Sequence, residues 1–304
     1  MPILSPAYTG RFAPSPSGPL HFGSLIAALG SYLQAKSQQG RWLVRMEDID
    51  SPRMVKGADS DILRTLEKFG LGWDAEVLYQ SQRLERYQQI FDHLQRQNLL
   101  YGCDCNRKRV SELGGIYDNH CATLNKQSGT LAWRLRSYGV KAEFSDLVFG
   151  HQTVPAALTN EDYIIKRRDG LFAYQLVVVV DDIEQAVTEV IRGADLLEMT
   201  PRQQALYALL GARPPAYGHL PLAVTEPGFK LSKQNRATAV SEWPVTEALY
   251  QALRPLFARM DQDVTRLELS SRGNWRVTLE RGARIDLGRG EPAELLQRTQ
   301  DFVA

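Results

Sequence analysis

Apolar residues recur at helical spacing in three places within the first hundred positions. Leu25, Ile26, Leu29 and Leu33, with Ala27, Ala28 and Ala35 between them, predict a first helix that Gly40 closes. Ile62, Leu63, Leu66 and Phe69 predict a second over 59–69, stopped by Gly70, and Leu84, Tyr87, Ile90, Phe91 and Leu94 predict a third over 82–97. Short apolar runs predict buried strands at 8–11, in the centre of 41–48, and at 189–192. The unbroken run from Tyr174 to Val180, ending in Asp181-Asp182, has the pattern of a parallel strand covered on both faces. A further helix begins at Thr200-Pro201, with the threonine as cap, the proline in the first turn, and Leu206, Leu209 and Leu210 as its buried side. Strand, helix and strand in alternation predict an α/β layer.

The periodicity lapses from Tyr101 to about Tyr163, where Gly114-Gly115 and Gly129 separate short stretches, and this predicts an insertion into the layer. After a helix over 245–260, apolar and polar residues alternate at 264–269, 275–279 and 283–287, with Arg281-Gly282 as a hairpin turn and a last helix from Pro292. The chain then divides into 1–100 and 166–240, two halves of one α/β domain, the insertion 101–165, and an α+β tail 241–304.

The loop from Arg11 to Ser24 holds three prolines and two glycines, so it continues neither a helix nor a central strand. It opens the first helix. A helix start presents unpaired N–H groups and partial positive charge, Ser24 is placed to cap it, and His21 stands just before it, which makes a place for phosphate. Glu47, Asp48 and Asp50 follow the second strand, where open α/β sheets bind ligands. Lys230-Leu231-Ser232-Lys233-Gln234, in a loop with Gly228, offers two lysines around a serine for a second grip on phosphate.

Composition narrows the classes. Lys and Arg total 36 against 35 Asp and Glu, so net charge announces no nucleic acid, and any RNA must be met by a local patch. The absence of an apolar run of eighteen residues, and of a basic segment followed by an apolar one at the N-terminus, predicts a cytoplasmic protein without a membrane partner. An odd count of three cysteines argues against a disulfide framework. Cys103, Cys105 and Cys121 instead form a set of soft ligands inside the insertion, open to zinc or to three unrelated buried thiols. A fourth ligand is available from Tyr117, Asp118 or His120. Histidine is the commonest ligand type of the three, although His120 is the neighbour of Cys121. A structural ion would supply folding energy that so short a segment lacks.

The Pro- and Gly-rich loop with His21-Phe22-Gly23-Ser24, together with Lys230 to Gln234, resembles the two signature motifs of class I aminoacyl-tRNA synthetases. Arg11 to Pro16, Arg45-Met46-Glu47-Asp48, Val180-Asp181-Asp182 and Val190-Ile191-Arg192-Gly193 resemble the glutamyl branch, over roughly residues 8 to 240. Only 71 residues follow Lys233, too few for the anticodon-binding domain of that branch, and with the cysteine cluster this resembles its shortened, queuosine-directed members. The resemblance implies a Rossmann-type catalytic domain with a zinc-containing insertion, activation of L-glutamate by ATP with Mg²⁺, and transfer of the glutamyl group to queuosine at the wobble position of tRNA(Asp). Charging of a tRNA 3′ end and a non-catalytic zinc-containing RNA-binding role are the alternatives, and a monomer is the expected state.

The resemblance also implies glutamate contacts at Arg11, Phe12, Ala13, Pro14, Ser15, Glu47, Tyr174 and Arg192. It implies ATP contacts at His21, Gly23, Lys230, Ser232 and Lys233, with His21 and Lys233 catalytic, and one structural Zn²⁺ on Cys103, Cys105, Tyr117 and Cys121. The residue types agree with that chemistry: arginines can pair with carboxylates, and a carboxylate can hold an ammonium.

Overall fold

The computed structural model describes residues 7–222, 224–226, 229–230, 243–258, 262–269, 274–290 and 292–303. The chain divides into two compact units, 1–237 and 238–304.

In the first unit β1 (Thr9–Phe12) leads through the Pro- and Gly-rich loop into α1 (Phe22–Ser37), and β2 (Arg41–Met46) returns parallel to β1 with Thr9 opposite Arg41. α2 (Ala58–Lys68) and the short β3 (Leu78–Tyr79) complete a parallel sheet in the order β1-β2-β3. Gly70, at φ +70°, stops α2 as the sequence predicts. α3 (Leu84–Arg96) follows a 3₁₀ turn at Gln80–Arg83 and buries Tyr87, Phe91 and Leu94, while Leu84 at its start is exposed.

The aperiodic stretch consists of short elements: β4 (Leu100–Cys103), α4 (Arg107–Glu112), β5 (Ala132–Leu135), β6 (Glu143–Asp146), β7 (Gly150–Thr153), α5 (Ala156–Thr159) and β8 (Tyr163–Lys166). After these come α6 (Tyr174–Glu184), β9 (Glu189–Gly193), α7 (Thr200–Leu209), β10 (Ala216–Leu220) and the antiparallel pair β11 (Val224–Glu226) and β12 (Phe229–Lys230). β4, β5 and β8 form an antiparallel sheet. The β6–β7 hairpin instead joins a second sheet, in the order β7-β6-β10-β9, where β10 runs parallel to both β6 and β9.

The parallel sheet and this second, mixed sheet meet at β1 and the start of β9. The Thr188 N–H donates to the Thr9 carbonyl at 2.9 Å, and the Thr9 N–H donates to Thr188 Oγ1 at 2.9 Å. The chain therefore builds outward from β1 through β2 to β3, then returns to build outward on the other side through β9 and β10. This is the reversal of strand order beyond which open α/β sheets take their ligands.

The clearest departure from expectation is α6. Tyr174–Val180 is helical, with Leu176 to Val180 at most 2% exposed and Asp181 and Asp182 buried with them. A helix apolar all round belongs in a core, and unbroken apolar sequence carries no period that separates it from a buried strand. It packs with Tyr87, Phe91, Leu94, Ile165, Leu206 and Tyr207 in one continuous core. Two expected caps also move. His21, not Ser24, caps α1, its Nδ1 accepting from the Ser24 N–H at 3.3 Å. Thr200 lies inside the first turn of α7, and its hydroxyl accepts from Arg192. α1 buries its small residues Ala28, Ser31 and Ala35 and leaves Leu29 and Leu33 exposed. Leu25 is buried with them, and α1 approaches β10 closely at Gly30, where a Cβ would stand 2.6 Å from Leu220 Cδ1.

The second unit contains α8 (Trp243–Ala258), an antiparallel sheet of β13 (Val264–Leu269), β14 (Trp275–Leu279) and β15 (Arg284–Gly288), and α9 (Pro292–Val303). Gly282, at φ +84°, makes the predicted turn, and Leu253, Phe257, Trp275, Val277 and Leu295 are among its core residues. Among the described residues no helix is long and apolar enough to cross a membrane.

Candidate active site at the sheet reversal

A cleft of about 650 Å³ opens over the carboxyl ends of β1, β2 and β9. Arg11, Phe12, Ala13, Pro14, Ser15, His21, Gly23, Glu47, Tyr174 and Arg192 all line it. Lys230 is described through its backbone, opposite Val224 in the β11–β12 pair, and Ser232 and Lys233 lie outside the described residues.

On one wall Arg11, at the end of β1, donates from Nε and Nη2 to Asp182 at 3.2 and 3.4 Å. The wholly buried Arg45 donates from Nη1 to the same carboxylate at 2.7 Å and to Gln185 at 2.9 Å. Burial alone would raise the Asp182 carboxyl, but the two guanidiniums prevail and hold it below the usual carboxylate range. Asp181 beside it is satisfied by Gln80 at 2.8 Å, Arg83 at 2.8 Å and the Tyr87 hydroxyl at 2.9 Å. Glu47 directly follows β2, and its N–H donates to the Pro14 carbonyl (2.9 Å), which ties the loop to the sheet. Its carboxylate is buried 3.6 Å from Arg45, with Oε1 making no hydrogen bond. Burial raises its pKa to about 7 against the pull of Arg45 and Arg11.

The opposite wall is made by Arg192 at the end of β9. Its Nε donates to His219 Nε2 (3.0 Å), Nη1 to Gln203 Oε1 (2.7 Å) and the Tyr174 hydroxyl (3.4 Å), and Nη2 to Thr200 Oγ1 (2.9 Å) and the Leu196 carbonyl (3.2 Å). The Tyr217 ring faces the guanidinium at 5.0 Å. All these partners are neutral groups, and among the described residues no carboxylate lies within 4.0 Å of Arg192. Tyr174 accepts from Arg192, so its own O–H can donate into the cleft.

The floor between these walls is the start of α1. Because His21 Nδ1 accepts the Ser24 N–H, the neutral ring carries its proton on Nε2, a donor beside the helix N-terminus.

The three cysteines lie apart from the cleft. Their sulfurs all fall within 4.8 Å of one another, with Cys105 and Cys121 at 3.5 Å, and the Tyr117 hydroxyl is 3.6 Å from Cys103 Sγ and 4.0 Å from Cys105 Sγ. Thiolates around one tetrahedral zinc sit about 3.8 Å apart, so the donor set fits a soft dication. Burial and the neighbouring thiols push Cys105 up to about 11, and thiols so close cannot all ionise without a cation between them. Asp118 is held by Arg109 at 2.6 and 2.9 Å, and His120 is outside the cluster that the described residues form.

The family described as tRNA synthetases class I (E and Q), catalytic domain, matches residues 8–266. The chain belongs to this synthetase family. A glutamyl-Q tRNA(Asp) synthetase from Vibrio vulnificus is 51% identical over 275 residues, covering 90% of each chain. One from Salmonella typhi is 53% identical over 276 residues, covering 89% of this chain and 93% of its own. The crystal structure of a glutamate tRNA ligase from Elizabethkingia meningosepticum in complex with its amino acid superimposes with a TM-score of 0.66 at 26% identity. That match covers 75% of this chain, which spans about half, 52%, of the solved one.

In this class I synthetase the expected residues include the charged ends of the cleft, Arg11, Glu47 and Arg192, but not the side chains that hold them. Asp146, Gln203 and His219 around Arg192, and Gln80 around Asp181, receive no role from spacing, while Thr200 and Tyr87 are expected only as a helix cap and a helix face. One signal was available: two acids ending an apolar run must find buried partners.

Proposed function

We propose that this synthetase activates L-glutamate with ATP and transfers the glutamyl group to queuosine in tRNA(Asp), as the names of its Vibrio and Salmonella relatives describe for those proteins. One observation carries the amino-acid part. Among the described residues the cleft holds a buried cation answered by neutral groups, Arg192, and across from it a carboxylate with a buried oxygen that makes no hydrogen bond, Glu47. A ligand bearing a carboxylate and an ammonium compensates both at once. The reacting α-carboxylate has to reach the phosphates, so the side-chain carboxylate of glutamate goes to Arg192 and the Tyr174 hydroxyl, and the ammonium goes to Glu47. Arg11, engaged with Asp182, together with Phe12 to Ser15, forms the wall that orients the substrate.

In the first step an α-carboxylate oxygen attacks the α-phosphorus of ATP, and the bond to pyrophosphate breaks. His21 Nε2–H, the N–H groups at the start of α1 with Gly23, and Lys233 with Lys230 and Ser232 serve the growing phosphate charge, and Mg²⁺ arrives with ATP. In the second step a hydroxyl of the nucleoside attacks the glutamyl carbonyl and AMP leaves. Glutamate-dependent ATP–pyrophosphate exchange tests the first step. Digestion of the charged RNA to nucleosides tests the second: glutamate on the modified wobble nucleoside is expected, and glutamate on the terminal adenosine overturns the choice of acceptor.

The insertion is proposed to hold one structural zinc on Cys103, Cys105, Cys121 and the Tyr117 oxygen, where it cross-links segments that share little apolar core. Elemental analysis is expected to give about one zinc per chain, lost on chelation together with cooperative unfolding of this region. Metal-free protein with an unchanged melting curve removes the assignment.

A further inference from the structure

Arg192 is held by side chains on α6, α7 and β10, and one of these, His219, is itself held by Asp146 on β6. We infer that Asp146 and His219 are positioning residues of the glutamate pocket: Asp146 fixes His219 as the neutral tautomer with its proton on Nδ1, and the Nε2 lone pair so presented aims the Arg192 guanidinium at the substrate carboxylate. The inference rests on Arg192 being a glutamate contact.

The donor logic leaves one arrangement. A guanidinium keeps its protons and its Nε offers only a donor, so His219 Nε2, 3.0 Å away, must accept. Nδ1 then carries the proton and donates to Asp146 Oδ2 at 2.6 Å. Asp146 cannot turn away, because its Oδ1 accepts the N–H groups of Val148 (3.0 Å), Phe149 (2.9 Å) and His219 (3.2 Å). It ends β6, directly opposite Tyr217 on β10, so strand pairing sets the distance between carboxylate and imidazole. Tyr217 stacks on the His219 ring at 6.2 Å and Phe144 meets it edge-on at 6.3 Å, which fixes the ring plane. Nε lies in the guanidinium plane, so a fixed Nε–H line also fixes where Nη1 and Nη2 point. An imidazolium here would set donor against donor and a second positive charge beside Arg192.

The assignment gives the β6–β7 hairpin, which contributes no lining residue to the cleft, a part in substrate recognition. It also explains why a carboxylate belongs near Arg192 but beyond its reach. Charge is delivered through a neutral ring, so the guanidinium meets a dipole and keeps its own charge for the ligand.

The test is ATP–pyrophosphate exchange with glutamate varied, on the full chain and four variants, alongside ¹⁵N spectra of the imidazoles. His219→Gln retains an acceptor near the Nε2 position, and its glutamate KM is expected within about threefold of the parent. His219→Leu removes the acceptor, and KM is expected to rise by about tenfold or more while kcat changes less than about threefold. The His219 resonances, identified by their loss in His219→Gln, are expected to show Nδ1–H in the parent. Asp146→Asn offers either a donor or an acceptor to Nδ1, so the tautomers should mix and KM should rise. An Nε2–H tautomer in the parent, or unchanged KM in His219→Leu or Asp146→Asn, overturns the inference. Arg192→Gln separates the two levels: if it leaves KM unchanged, the reading of Arg192 itself fails, and if it raises KM while His219→Leu does not, only the positioning role fails.

Discussion

Arg11 and Arg192 end neighbouring strands on the two sides of the sheet reversal, and each is 4% exposed, yet they are held in opposite ways. Arg11 shares a full negative charge, Asp182, with Arg45. Arg192 is surrounded by a histidine lone pair, an amide oxygen, two hydroxyls and a carbonyl, which satisfy its N–H groups without cancelling its charge. A buried ion pair supports a wall, and a buried cation among dipoles is a receptor for an anion. The difference teaches that in this cleft the role of an arginine follows from the charge of its partners rather than from its depth.

Removing the receptor should cost the most. Arg192→Gln is expected to lower kcat/KM for glutamate in exchange by roughly 10²-fold, about 3 kcal/mol, the size of effect seen when one partner of a buried charge pair is lost. Arg192→Lys should fare little better, since a single ammonium cannot reach five acceptors in a plane. The melting temperature should fall less than activity does, because the groups left behind are neutral.

Arg11→Gln should show the reverse order. Asp182 keeps Arg45 but loses half its compensation in a site where it is 3% exposed, and stability is expected to fall by about 2–3 kcal/mol in denaturant titrations. Asp182→Asn in the same background should restore part of that loss. If Arg11→Gln leaves stability untouched and abolishes exchange, the contrast between wall and receptor is wrong.

The two arginines were legible in the sequence to unequal degrees. Arg11 stands at a strand end beside a loop whose prolines and glycines announce its shape, and Arg192 stands at another strand end before Gly193. Residue type and local pattern suffice for that much, and likewise for the cysteine set and the β-rich tail. What compensates each arginine was not legible, because Asp182 is 171 positions from Arg11 and Asp146 is 73 from His219, and no periodicity carries pairings at such range. The same limit produced the error at α6. The run of four valines favours a strand locally, and only burial against α3, α7 and β8 makes a helix of it, which is also what turns Asp181 and Asp182 inward.

The smallest effect expected is the one that reads the other half of the pocket, Glu47. Burial raises its pKa from an ordinary value near 4.5 to about 7, so the folded protein keeps a proton there that the unfolded chain has already lost. Its contribution to stability is therefore complete below the unfolded pKa and is lost as pH rises through about 7. Glutamate demands the opposite state, because only the carboxylate can receive the ammonium. Below about 7, the glutamate KM should then rise by up to about tenfold for each unit of acidification and level off above it. Ligand-induced thermal stabilisation should likewise be larger at pH 8 than at pH 6. Glu47→Gln is expected to raise KM at every pH and to flatten both dependences, while its ligand-free melting temperature should exceed that of the parent at pH 8, where the parent carries an incompletely compensated buried charge. A parent KM flat between pH 6 and 8 would separate Glu47 from the ammonium, and would leave Arg192 as the one wall of the cleft shaped for a charge of the substrate.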